Sequence, residues 1–176
     1  MATVHTGGVN MIKLAERRVF SQSFKPLYNE GMGLVEEAAE YLDGDGRAAA
    51  KTLSRVAAGL YAAESMRLTT RLMQLASWLL LQRAANSGEM TREQVAAEKA
   101  KVRLDTTSLQ EEAPGWSELP EAFRSLVRRS LRLEALVRRM DEEIYGTVKS
   151  RAKGESFAHN PVSDQITLLQ TAFARG

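Results

Sequence analysis

Between Glu64 and Gln82 the chain reads ESMRLTTRLMQLASWLLLQ, and this stretch limits the fold more than any other. Leu68, Leu72, Leu75 and Leu79 recur at steps of four and three, the period of one helix face. Met66, Met73 and Leu80 make a second apolar stripe. Glu64, Arg67, Arg71 and Gln74 make a polar line that Trp78 continues. A surface helix usually carries one apolar stripe. Apolar residues around most of the circumference call for a central position or a partner. The polar line has two readings. It is plain solvent face, or it is a partner-binding surface anchored by Arg and Trp, through which the helix dimerises.

The flanking sequence supplies helices for it to pack against. Ser21 or Ser23 suits an N-cap, with Pro26 in the first turn, where its missing N–H costs little. Phe20, Phe24, Leu27, Leu34, Val35, Ala38, Tyr41 and Leu42 then keep a helical period. Gly31 and Gly33 interrupt it at about 1 kcal/mol each against alanine. That cost points to close approach of a neighbouring helix. Gly44 in Asp43–Gly46 suits a left-handed helix end, and Asp45 suits the next N-cap. So short a turn predicts a helical hairpin and a second helix running unbroken from Gly46 to about Ala85. Thr91 with Gln94 is a capping-box pair opening a short helix over about 92–103. Residues 105–116 read as a loop with a turn at Pro114-Gly115.

The last helix shows the most regular seam. Leu119, Phe123, Leu126, Ser130, Leu133, Val137, Met140 and Ile144 step by four and three, with Ser130 the one polar entry. The pattern predicts an all-α, antiparallel three-helix bundle with a long central helix. Its helices cover about 23–43, 46–85 and 119–145. A flexible arm over 1–20 precedes them and a disordered tail over 146–176 follows. That tail ends in a short apolar patch, ITLLQTAFARG, which either docks as a terminal turn, is read by other proteins as a peptide, or frays.

Chemistry is hard to find in this chain. Cysteine is absent, which removes disulfides, thiol nucleophiles and thiolate metal sites and fits a reducing, cytoplasmic setting. The two histidines, His5 and His159, both fall in the predicted tails. There is no Glu-x-x-His pair, no phosphate loop and no GxGxxG. Neither a signal peptide nor a membrane span is read: the run Leu72–Leu81 is well short of the about 20 apolar residues a span needs. The expectation is a protein that is not an enzyme and holds no metal or cofactor.

Charge offers two further readings. A net charge of +2 gives no global field. Arg124, Arg128, Arg129, Arg132, Arg138 and Arg139 cluster on the last helix. They read as a solvated face paired with neighbouring acids or, alternatively, as the phosphate-binding face of a helical nucleic-acid-binding regulator. Acids gather at two helix C-termini, where they oppose the macrodipole: Glu36, Glu37, Glu40 and Asp43 on the first helix, Asp141, Glu142 and Glu143 on the last. In an up–down–up bundle these would share one end. They would form an acidic docking pole partly neutralised by Arg47 and Lys51.

Four segments carry a resemblance. LYNEGMGLVEEAAEYLDGDGR (27–47), ESMRLTTRLMQLASWLLLQRA (64–84), GEMTREQVAAEKAKVRL (88–104) and LPEAFRSLVRRSLRL (119–133) resemble the RcdA family of bacterial cell-cycle proteins, regulators of CtrA degradation. The resemblance implies a dimerising three-helix bundle and a non-enzymatic adaptor for the ClpXP protease. Its implied partners are a CpdR-like response regulator that primes the protease, substrates such as CtrA, and a PopA-like cyclic-di-GMP-binding adaptor. It carries over no contact residues.

Overall fold

The fold is described from a computed structural model. It describes residues 7–106 and 111–146, with side chains from residue 22 onward except Arg92 and Gly146. The chain forms two compact units, Met1–Val137 and Arg138–Gly176. The described part of the second is the last turn of one helix and the π-helical turn Glu142–Gly146. The predicted tail beyond it, with its apolar patch, lies outside the described residues.

All regular structure among the described residues is helical. Helix α1 spans Gly7–Asp43, α2 Asp45–Ala50, α3 Arg55–Ser87, α4 Arg92–Lys99 and α5 Glu121–Asp141, with a 3-10 turn at Trp116–Glu118 before α5. The all-α bundle is as predicted, but several boundaries are not. The N-terminal arm expected over 1–20 is helical from Gly7, so neither Ser21 nor Ser23 caps a helix, and Pro26 sits inside α1. Gly44 is not left-handed; its φ is −103° and it precedes α2.

The long central helix is divided. Thr52 donates its hydroxyl to the carbonyl of Ala49 at 2.9 Å, and Ser54 accepts from the N–H of Ala57 at 3.2 Å as the N-cap of α3. Side chains that satisfy backbone groups locally compete with helix continuation, and two of them suffice here. The end of α3 follows its sequence, with Gly88 left-handed at φ 78°. The capping box on α4 is present in both directions between Thr91 and Gln94. Helix α4 stops at Lys99, short of the expected 103.

The direction of the last helix is the main correction. Helix α1 runs antiparallel to α3: Phe24 packs on Trp78, Arg83 Nη1 donates to the Tyr28 hydroxyl at 3.0 Å and Gly31 lies against Leu79, all late in α3, whereas Gly46, just beyond α1, lies against Tyr61 near the start of α3. Helix α5, however, runs parallel to α3. Phe123 sits 4.5 Å from Tyr61 by ring centroid, and Ser130 bonds Arg71. Leu133 reaches the level of Gly31 and Leu79. The up–down–up order is therefore overturned. Two helices can be parallel in sequence order only if the connection travels back along the bundle. Residues 88–106 and 111–120 do so: Gly115, at φ 88°, abuts the backbone of Ala57 at the start of α3. Any side chain at Gly115 would crowd Ala57 and strain a left-handed backbone.

The core follows the predicted seams. Leu68, Leu72, Leu75 and Leu79 of α3 meet Leu119, Phe123, Leu126, Leu133 and Val137, all buried, together with Phe24, Leu27, Leu34 and Ala38 of α1. Of the two α1 glycines, only Gly31 serves close approach. A Cβ there would overlap Leu79 Cδ1, whereas Gly33 has nothing within 4 Å. Gly31→Val is expected to cost about 1–3 kcal/mol through overpacking, while Gly33→Ala adds about 0.5–1 kcal/mol of stability; urea denaturation of both variants checks the contrast. Tyr41 and Tyr61 bury hydroxyls without a hydrogen-bond partner, and burial pushes both phenols above their ordinary value. Their stabilising contribution is complete below the unfolded tyrosine value of about 10 and lost as pH rises through the raised folded value. Replacing both with Phe is expected to flatten the alkaline fall in melting temperature; an unchanged fall assigns it to other groups.

Candidate functional site

The polar line of α3 turns inward because the returning connection lies over it. The N–H of Arg103 donates to Gln74 Oε1 at 2.8 Å. Three residues on, Thr106 reaches Arg71, whose Nε donates to Thr106 Oγ1 at 2.8 Å. From α5, Ser130 Oγ accepts from Arg71 Nη1 at 2.9 Å, and Glu134 Oε2 lies 3.5 Å from Arg71 Nε. The Thr106 hydroxyl is 2.7 Å from each oxygen of Glu134, and the Thr106 N–H donates to Oε1 at 3.1 Å. One guanidinium and one carboxylate thus join α3, α5 and the connection. Arg71, Glu64 and Ser130 are 0% exposed and Glu134 is 6% exposed, so this is an interior cluster.

Its electrostatics are those of a paired interior ion. Burial pulls the Arg71 guanidinium below its ordinary value, and the charges of Glu134 and Glu64 push it back up. Glu64 accepts from the half-exposed Arg67. The cluster holds no group arranged for proton transfer to a substrate: the Ser130 hydroxyl donates to the carbonyl of Val127 at 2.8 Å. Among the described residues, no set of three or more His, Cys, Asp or Glu is placed to hold a metal ion. No described helix is long and apolar enough to cross a membrane.

The predicted partner-binding residues scatter accordingly. Arg71 and Trp78 are buried, Trp78 against Phe24, so the line Arg67, Arg71, Gln74, Trp78 is not a surface patch. Gln74 holds the connection, and Arg67 is its most exposed member. Glu36, Glu37, Glu40 and Asp43 are exposed on α1; Glu37 accepts from Arg129 at 2.7 Å, and Asp43 lies 3.7 Å from Arg47. The shared acidic pole required α5 to start far from this end of α1. Instead it starts beside it, with Phe123 6.3 Å from Tyr41 by ring centroid. Asp141, Glu142 and Glu143 belong to the second unit, where Glu142 and Glu143 are exposed. Among the described residues, three of the six arginines of α5 pair with acids: besides Arg129 with Glu37, Arg124 pairs with Glu121 at 2.7 Å, and Arg128 reaches Glu111 and Glu121, each at 3.1 Å.

What α3 does present outward is its second apolar stripe. Met66, Met73 and Leu80 are 74%, 64% and 48% exposed. Gly59, Ala62, Ala63, Thr69, Thr70 and Ser77 are exposed among and before them. The hydroxyls are satisfied within the helix: Thr69, Thr70 and Ser77 donate to the carbonyls four residues back at 2.8, 2.9 and 2.8 Å. The face therefore behaves as apolar along its length.

Comparison with known proteins identifies the group. The family described as "Protein of unknown function (DUF1465)" matches residues 15–173. RcdA from Caulobacter crescentus CB15, in its crystal structure, is 48% identical; the match covers 69% of this chain and 91% of that one at a TM-score of 0.56. The chain belongs to the RcdA family. The four segments that carry the resemblance all lie within the matched residues. A search of curated proteins finds no match. Similarity to RcdA supports a cell-cycle regulatory adaptor role in general.

Sequence reasoning missed the cluster around Arg71. Two signals pointed to it: a serine in an otherwise apolar seam, and Glu134 as the lone acid among the arginines of the last helix. Thr106 gave none. Removing one partner of a buried ion pair costs about 3–5 kcal/mol, whereas replacing both with apolar residues is often neutral or stabilising. Arg71→Leu alone is therefore expected to destabilise strongly, and Arg71→Leu with Glu134→Leu to recover most of the loss, as read by guanidinium denaturation. Additive losses in the double variant would contradict the pairing.

Proposed function

We propose that this chain is a non-enzymatic adaptor that tethers substrates or further adaptors to the ClpXP protease. On this reading it works in the cytoplasm, as a homodimer, with a protease primed by a CpdR-like response regulator. Its cargo is transcription regulators such as CtrA, delivered with a PopA-like adaptor. The observation that carries the reading is the 48% identity to RcdA over most of both chains. Two structural features agree with it. The first unit is a helical bundle whose interior ion pair joins α3, α5 and the connection between them. Met66, Met73 and Leu80 form an exposed apolar stripe on α3. Tethering needs no catalytic group, since it acts by raising the effective concentration of a weak substrate at the enzyme.

The alternative, a nucleic-acid-binding regulator, draws on the arginines of α5. The ion pairs of Arg124, Arg128 and Arg129 speak against it, because phosphates would have to displace carboxylates already in contact. Reconstitution decides between them. With purified ClpXP, a CpdR-like regulator and a CtrA-type substrate, adding the chain is expected to speed substrate loss at substrate concentrations below KM and to matter little at saturation. DNA affinity that falls steeply with salt, with no change in degradation rate, would favour the alternative.

A further inference from the structure

The exposed face of α3 has a charge pattern that selects its partner. From Gly59 to Leu80 the exposed residues other than Arg67, which lies beside the stripe, are Gly, Ala, Thr, Ser, Met and Leu. That is about 32 Å of helix at 1.5 Å per residue. Met66, Met73 and Leu80 repeat every seven residues, the spacing at which a second helix meets the same seam. The small residues between them allow a helix backbone to come close. Methionine side chains adapt their shape to what they meet.

The rim of this face is basic. Every exposed charged residue of α3 is an arginine: Arg55, Arg67 and Arg83. The only acid of α3, Glu64, is 0% exposed. A second copy of the chain seated face to face would set arginine rim against arginine rim in either direction. Like charges across an interface oppose association and exclude the wrong partner.

We propose that the outer face of α3 is a docking site for an amphipathic helix of a partner protein, with an apolar heptad stripe flanked by Asp and Glu. The apolar stripe covers Met66, Met73 and Leu80, and the flanking acids meet Arg55 and Arg83. This rests on the adaptor reading and gives its cargo or co-adaptor a recognisable chemistry. Homodimerisation, on this account, uses another surface.

The test uses the full chain and two synthetic 21-residue helix-forming peptides with identical leucine stripes, one flanked by glutamates and one by lysines. The glutamate peptide is expected to bind and the lysine peptide to bind at least about tenfold more weakly, a difference of about 1.4 kcal/mol. Met66→Lys and Met73→Lys, at exposed positions that leave the core untouched, are expected to abolish binding. Arg55→Glu with Arg83→Glu is expected to reverse the preference toward the lysine peptide. Equal binding of both peptides overturns the proposal, as does binding that survives Met73→Lys. A dimer in sedimentation that becomes monomer in Met66→Lys/Met73→Lys assigns the face to a second copy and overturns it too. So does association with anionic phosphatidylglycerol vesicles through the same methionines without peptide binding. If the peptides fail while the degradation assay succeeds, the docking inference falls and the adaptor reading stands. If degradation is unaffected while the glutamate peptide binds as described, the adaptor reading falls alone.

Discussion

The arrangement of this bundle depends on where one guanidinium can be satisfied. Arg71 projects from the middle of α3 into the interior, and a buried charge without partners costs several kcal/mol. Its Nε finds Thr106, its Nη1 finds Ser130 and its charge finds Glu134, while Nη2 stays buried without a hydrogen-bond partner. Ser130 and Glu134 are one helical turn apart on α5, so the helix must pass Arg71 at that level. Thr106 is on the connection, so the connection must pass there as well. Buried ion pairs seldom add net stability over apolar packing; their better-attested role is to select one arrangement among several. We hypothesise that role here: the cluster favours parallel α3 and α5 over an up–down–up order that would bury similar apolar area. A freely folding, single-topology Arg71→Leu/Glu134→Leu variant that keeps the close Tyr61–Phe123 contact in its NOE spectrum would sink that idea.

The same constraint explains how the surface is divided. Because the connection returns over the polar line of α3, residues that looked like a partner surface become interior. Trp78 packs on Phe24 and Gln74 holds a backbone N–H. The opposite stripe, which looked like a second core face, is left outside. Helix α3 is thus central, as its apolar excess demanded, but with polar and apolar sides in exchanged roles. A charged side chain can be interior when its partners are built in, and an apolar one can be exterior when a partner is to come.

Local features were legible in the sequence, and long-range ones were not. Short-range chemistry found the capping box at Thr91, the helix end near Ala85 and the turn at Pro114-Gly115. Heptad spacing found the buried face of α5 from Leu119 to Val137. The break at Lys51–Ser54 escaped because alanine-rich sequence favours helix on both sides, and two hydroxyls outweigh it locally. The direction of α5 escaped because a seam of apolar residues reads the same from either end. Contacts such as Arg71 with Ser130 and Glu134 are specific to one direction, and no periodicity reveals such a pairing.

Membership of the RcdA family and an open, uncharged helix face make partner binding the central claim. Oxidative footprinting of exposed methionines tests it most directly, since Met66 and Met73 report on that face with their own side chains. With ClpXP, its primed regulator and substrate assembled on the chain, peroxide oxidation of Met66 and Met73 is predicted to slow well below its rate in the chain alone. The partly buried Met32, on α1, is predicted to keep its rate. Unchanged oxidation of Met66 and Met73 in a complex that degrades its substrate would contradict the account.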